Sequence, residues 1–174
     1  MSAGSITLLT GPMFAGKTTQ LLARHALAAH DTRGCVLVRH VLDTRTDRAP
    51  MPPAVRAAQL ADVDAAGAPH VFVDEGQFFP DLAAQCVRWR DAGAHVVVAA
   101  LDRMHTGAWF ATTYTLAHTP GVEVRALAGR CATPDCAGAS RYTQRTAAAS
   151  CPVLVGGAEA YRPLCAACFA RAPP

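Results

Sequence analysis

The stretch "GPMFAGKT", residues 11–18, places two glycines, a lysine and a threonine at every fixed position of G-x-x-x-x-G-K-[ST]. Glycines allow backbone N–H groups to curl around phosphate oxygens, Lys17 can reach the terminal phosphates, and the Thr18 hydroxyl is a ligand for Mg²⁺. Pro12, Met13, Phe14 and Ala15 complete the cradle between Gly11 and Gly16. A second centre is "VFVDEGQ" (71–77), an apolar run that ends in Asp74 and Glu75. Asp74 is suited to hold Mg²⁺ directly or through water, and Glu75 to act as a base or to orient an attacking group. The third centre is sulfur. Cys131-x4-Cys136 and Cys165-x2-Cys168 are two pairs at metal-ligand spacing, and four thiolates suit a closed, tetrahedral structural Zn²⁺.

These groups need elements to hold them. "SITLLTG" (5–11) is a short apolar run closed by glycine, expected as a buried strand. Lys17 to His30 sets Leu21, Leu22, Ala26 and Ala29 on one helical face, so strand, phosphate loop and helix follow in order. The helix adds the partial positive charge of its N-terminus. "CVLVRH" (35–40), "HVFVDE" (70–75) and "HVVVAAL" (95–101) are further expected strands, and "GVEVRALAG" (121–129) one more. "VRAAQLADVDAA" (55–66) and "PDLAAQCVRWRDAG" (80–93) are expected helices, the second with Pro80 in its first turn; "APMPPA" (49–54) interrupts structure. Alternating strands and helices predict an α/β fold, a parallel sheet covered by helices on both faces. Ligands of such sheets bind beyond the C-terminal strand ends, where Asp74 and Glu75 fall. After about residue 125 cysteines, glycines and polar residues take over, which divides the chain into an α/β domain (1–125) and a zinc-binding appendage (126–174).

Composition narrows the class. The chain has 174 residues, of which 51% are hydrophobic and 17% charged, as in a globular fold. A net charge of +3 without a basic run gives no footprint for a nucleic-acid polymer. "MSAGSITLLTG" has no basic n-region or long apolar run, so no signal peptide and no membrane span are expected, and the compartment is taken as cytoplasmic. Seven cysteines, an odd number, in such a place point to metal ligands rather than a disulfide framework. Cys35 and Cys86 are expected as small apolar residues and Cys151 as a spare loop thiol; His25 and His30 are expected on the surface, Trp89 and Trp109 as packing residues.

The sequence resembles the type II thymidine kinases, the cellular and poxvirus kind. The resemblance rests on "GPMFAGKT" (11–18), "DTR" (43–45), "DEGQFFPDL" (74–82), "VVAALD" (97–102), "YTQR" (142–145) and "VGGAEAYRPLCAACF" (155–169), in the family's order. It implies a P-loop (RecA-like) sheet and transfer of the ATP γ-phosphate to the 5′-hydroxyl of thymidine, a nucleotide-salvage step. It also implies a homotetramer, feedback inhibition by dTTP, and a zinc-anchored lasso closing over the nucleoside. Carried over by motif, Glu75 becomes the base. Asp43, Thr44, Arg45 and Gln77 join the phosphate side with Asp74, and Thr18 and Asp74 hold Mg²⁺. Met13, Leu101, His105, Phe110, Thr143, Pro152, Val153, Leu154, Val155, Gly156 and Tyr161 would face the nucleoside, and Cys131, Cys136, Cys165 and Cys168 match the zinc positions.

The chain departs from the family pattern in three places. The first cysteine pair is C-x4-C where C-x2-C is common. Arg103 follows Asp102 where glycine is usual, and His105 takes the place of a phenylalanine. The stretch between Arg45 and Val71 is short. The rivals to a thymidine kinase are therefore a kinase of the same fold that takes another deoxynucleoside, such as deoxyuridine, and a catalytically inactive nucleotide-binding relative.

Overall fold

The computed structural model describes residues 3–30, 34–43, 52–147 and 156–172. Six strands form one sheet: β1 (Ser5–Gly11), β2 (Cys35–His40), β3 (Val55–Ala57), β4 (His70–Asp74), β5 (His95–Leu101) and β6 (Val122–Ala126). Their order is β3-β2-β4-β5-β1-β6, and every pair is parallel. Side chains alternate between faces along a strand, and both faces of the central strands are covered, whereas β6 and β3 at the edges are largely exposed. Leu8, Val71, Val73, Val96 and Val98 enter a large core on one face, whereas Leu9, Leu37, Phe72 and Ala99 enter a second core on the other. Two buried faces explain why the strands read as unbroken apolar runs. Phe72 is 2% exposed, and its truncation to alanine would cost about 3–5 kcal/mol.

The helices are α1 (Lys17–Ala28), α2 (Leu82–Asp91), α3 (Ala111–Ala117) and α4 (Ala166–Arg171). α1 buries Leu21 in the second core; α2 and α3 supply Leu82, Cys86, Trp89 and Leu116 to the first. A separate antiparallel hairpin, β7 (Tyr142–Arg145) with β8 (Tyr161–Leu164), stands beside α4. Among the described residues no helix is long and apolar enough to cross a membrane.

Three expectations change. Residues 55–66 are not a helix: Val55–Ala57 pairs with β2 as edge strand β3, and a 3-10 turn at Leu60–Asp62 follows. The Asp81 carboxylate accepts the amides of Leu60 and Ala61 at 3.0 and 2.8 Å, which fixes that turn against the start of α2. Pro80 lies before the N-cap Asp81 rather than in the first turn of α2. His25 is half-buried, with its ring edge-on to Phe72 at 5.3 Å. Cys86 is fully buried as expected, and its thiol is pushed above its ordinary range by burial.

β5 lies between β1 and β4. The C-terminal tips of these three strands therefore stand side by side, carrying the 11–16 loop, Asp102, and Asp74 with Glu75.

Candidate active site

The loop after β1 has the backbone its sequence demands. Gly11 has φ 134°, and a Cβ there would lie 2.2 Å from the Leu127 carbonyl oxygen, so only glycine fits the approach of the chain beyond β6. Phe14 and Gly16 also take positive φ. No side chain caps α1, which leaves its first amides and their partial charge for an anion. The Lys17 ammonium donates to the carbonyls of Gly11 and Pro12 at 3.0 and 2.6 Å, folded over the loop it would serve.

Across the sheet tips, the Thr18 hydroxyl donates to Asp74 Oδ1 at 2.9 Å. Asp43, Asp74 and Glu75 each present a carboxylate oxygen within 4.8 Å of the others. Asp43 and Asp74 are both 1% exposed. Arg39 pairs with Asp43 at 2.6 Å, and Arg56 donates to the Asp43 carbonyl at 2.7 Å, so two arginines hold this acid in place. Three acids beside a threonine hydroxyl form an all-oxygen set of the kind Mg²⁺ takes together with phosphate oxygens.

Glu75 stands at φ 55°, the left-handed region that a non-glycine residue rarely occupies. The next residue shows why the chain turns there. A Cβ on Gly76 would lie 2.6 Å from Val98 Cγ1, so the turn lies flat on β5. Gln77 is buried, donates from Nε2 to Glu75 Oε2 at 2.7 Å and accepts the Leu101 amide at 2.9 Å. Its side-chain amide thus spans from the acid to the tip of β5.

Asp102 had no role assigned from sequence. Burial raises its carboxyl, opposed by the Lys17 charge, and its Oδ1 is buried without a hydrogen-bond partner among the described residues. Its signal was available: it ends the apolar run of β5 as Asp74 ends that of β4. Arg39 and Arg56 carried no such signal, because their importance comes only from the fold of the 41–43 turn.

Several residues expected to face a nucleoside meet where β7 and β8 approach the loop after β5. Thr143 is buried, and its hydroxyl accepts the Met13 amide at 2.9 Å, tying the phosphate loop to β7. His105 Nδ1 lies 3.3 Å from Arg145 Nη2, and Arg145 sits over the Tyr161 ring at 6.0 Å. Burial first, and Arg145 second, lower the pKa of His105, which favours its neutral ring. Phe110 precedes α3 and donates its amide to the Asp102 carbonyl at 2.9 Å. Gly156 packs beside Ala160, close to Tyr161. Thr44, Arg45, Pro152, Val153, Leu154, Val155 and Cys151 lie outside the described residues.

The four cysteines of the appendage converge. Their Sγ atoms all lie within 4.8 Å of one another, and Cys136 Sγ is 3.8 Å from those of both Cys165 and Cys168. A zinc tetrahedron with bonds of about 2.3 Å has edges of about 3.8 Å, so the donor set fits Zn²⁺. The Cys165 amide and the Thr133 hydroxyl bring the Cys131 thiol down to about 6. The Gly138 amide pulls Cys136 the same way, but the Cys131, Cys168 and Cys165 sulfurs push it up to about 11. Thiols that oppose one another's ionisation in this way are what a divalent cation would relieve.

The family described as thymidine kinase matches residues 4–169. The cytosolic thymidine kinase of Gallus gallus is 34% identical over 181 residues, covering 98% of this chain and 79% of its own length. The cytosolic thymidine kinase of Homo sapiens is 33% identical, covering 95% of this chain and 73% of its own. The thymidine kinase of Variola virus is 30% identical and covers 97% of this chain and 98% of its own.

Proposed function

Because this chain belongs to the thymidine kinase family, we propose that it transfers the γ-phosphate of ATP to the 5′-hydroxyl of thymidine. The observation that carries the proposal is the convergence of Thr18, Asp43, Asp74 and Glu75 beyond the C-terminal ends of β1, β2 and β4, with Lys17 folded over the adjoining loop. Mg²⁺ bound with the nucleotide would neutralise phosphate charge, with Thr18 and Asp74 as the protein groups beside it.

The chain's own residues do the rest. Lys17 exchanges its two loop carbonyls for phosphate oxygens. The Glu75 carboxylate takes the proton of the 5′-hydroxyl. The sugar oxygen forms its bond to the γ-phosphorus as the bond to the β-phosphate oxygen breaks, which releases ADP. Phosphoryl transfer is mainly positioning and charge stabilisation, and Gln77 is the residue that holds Glu75 in position. The 126–174 segment, with Zn²⁺ on its four cysteines, forms the lid over the nucleoside and excludes water from the transfer. A homotetramer in the cytoplasm, inhibited by dTTP, completes the proposal.

The test is a panel of nucleosides incubated with γ-labelled ATP and Mg²⁺. Label should pass to thymidine with the highest kcat/KM. Transfer to another nucleoside but not to thymidine, or ATP binding with no transfer, would overturn the assignment.

A further inference from the structure

We infer that Arg103 is a positioning residue for the nucleoside pocket, a planar brace that fastens the 103–109 turn to the aromatic face of the cysteine module. The inference rests on the pocket assigned above. The turn is closed by its own backbone: the Met104 amide donates to the Ala108 carbonyl at 2.8 Å and the Gly107 amide to the Met104 carbonyl at 2.9 Å, and Arg103 pairs with Trp109 across it. These bonds shape the turn, but they do not attach it to anything else.

Gly107 lies close to the Phe169 and Tyr142 rings, and Arg103 supplies the charged contact that fastens the turn there. Its guanidinium lies 4.7 Å from the Trp109 ring centroid, within the turn, and 5.4 Å from that of Tyr142, on β7. Its Nη1 donates to the Gly107 carbonyl at 2.9 Å. Tyr142 in turn stacks on Phe169 at 4.5 Å with planes 12° apart, and Phe169 follows Cys168 directly in α4. A continuous stack therefore runs from the tip of β5 to the residue beside a metal-ligating cysteine. His105, held near Arg145, gives the same turn a second contact with β7.

The chemistry favours arginine. A flat, delocalised cation can lie on two rings and still donate in its own plane, which a lysine ammonium cannot do. Glycine, the usual residue of the family at this place, would make none of the three contacts. The turn leads from Leu101 and Asp102 to His105 and Phe110, so a brace here sets how far the pocket-side residues stand from the hairpin that closes over them.

The experiment uses the full chain with metal bound. Arg103→Ala and Tyr142→Leu are made singly and together, with Arg103→Lys and Tyr142→Phe as conservative partners. Arg103→Ala should raise the KM for thymidine about tenfold, the size of losing one or two partly exposed cation–π contacts. kcat and the KM for ATP should stay within about twofold of wild type, because the phosphate end is untouched. Arg103→Lys should recover only part of the loss, and Tyr142→Phe should behave as wild type. If Arg103 acts through Tyr142, the double variant is no worse than Arg103→Ala alone. Chymotryptic cleavage after Trp109 should quicken in Arg103→Ala and Tyr142→Leu, a readout that needs no turnover.

An unchanged thymidine KM, single effects that multiply in the double variant, unchanged cleavage, or loss of bound metal from Arg103→Ala would each overturn the brace. Failure of the wild-type protein to phosphorylate any nucleoside would instead sink the proposed function, while the cleavage comparison still decides the role of Arg103.

Discussion

At the phosphate end of the cleft, Lys17, Thr18, Asp74 and Glu75 come from two strand-to-loop junctions separated by one strand, β5. At the other end, where the nucleoside is proposed to sit, the turn after β5 meets a hairpin that begins some forty residues later, joined by Arg103, His105 and Thr143 to partners on β7 or, for Thr143, on the 11–16 loop. The first end is made by parallel strands that bring their tips together whatever the surface residues are. The second is made by individual side chains reaching across between separate sheets. Damage to the first should therefore change the chemical step and leave folding alone, and damage to the second should change binding and stability first.

The largest expected effect is at Glu75. Glu75→Gln should fold with an unchanged Tm and bind ATP, yet lose about 10²–10⁴-fold in kcat, the span for removing a general base. Near-normal turnover would mean that the phosphate end works without this carboxylate. The opposite pattern is expected for Cys165→Ser. Metal analysis should find zinc lost, thermal unfolding should begin earlier, and the KM for thymidine should rise more than that for ATP, because a bound metal would contribute folding energy to a module whose described core is small. Unchanged zinc content would remove the four-cysteine assignment.

The contrast also governs what could be read from sequence. β1, β2 and β5 lie where the apolar runs put them, since a strand buried on two faces carries its signal in every residue. β3 was missed because Val55–Ala57 has only three residues and owes its state to β2, not to its own composition. α3 is short, and Thr112, Thr113 and Thr115 are weak helix formers. β7 and β8 were recognised only as motifs, because a four-residue strand among cysteines and glycines has no periodicity to show. At the site, the loop 11–18 and the pair Asp74–Glu75 were evident from residue type and spacing. The left-handed Glu75, the Gln77 bridge and the Arg103 stack were not, for each depends on contacts with β5 or β7 that no local pattern encodes.

An intermediate effect is expected at Gln77. Gln77→Leu removes the donor to Glu75 and the acceptor of the Leu101 amide. kcat should fall about tenfold with little change in either KM, in line with losing one hydrogen bond to a charged group. An equal loss of thymidine affinity would place Gln77 at the nucleoside end instead.

The smallest expected effect is on pH dependence. Burial lowers the pKa of His40, with Arg56 adding to it against a backbone bond near Ala58, and burial with Arg145 lowers that of His105. Both rings therefore bind a proton less readily in the folded protein than in the unfolded chain. Their stabilisation is complete above about pH 6.5, the ordinary histidine value, and declines as the pH falls below it. Tm should drop by a few degrees between neutral and mildly acid buffer. His105→Asn should flatten that slope slightly, and a slope identical to wild type would show that His105 does not contribute.

A triphosphate on the 11–18 loop and a nucleoside under the cysteine module are proposed to meet at Glu75. Adenosine and thymidine joined through their 5′-oxygens by a polyphosphate chain, titrated calorimetrically into the metal-loaded protein, would span both positions at once. One molecule should bind per chain, displacing both ATP analogue and thymidine, with a Kd about a hundredfold or more below that of thymidine alone. Displacement of the ATP analogue with thymidine binding left intact would contradict it.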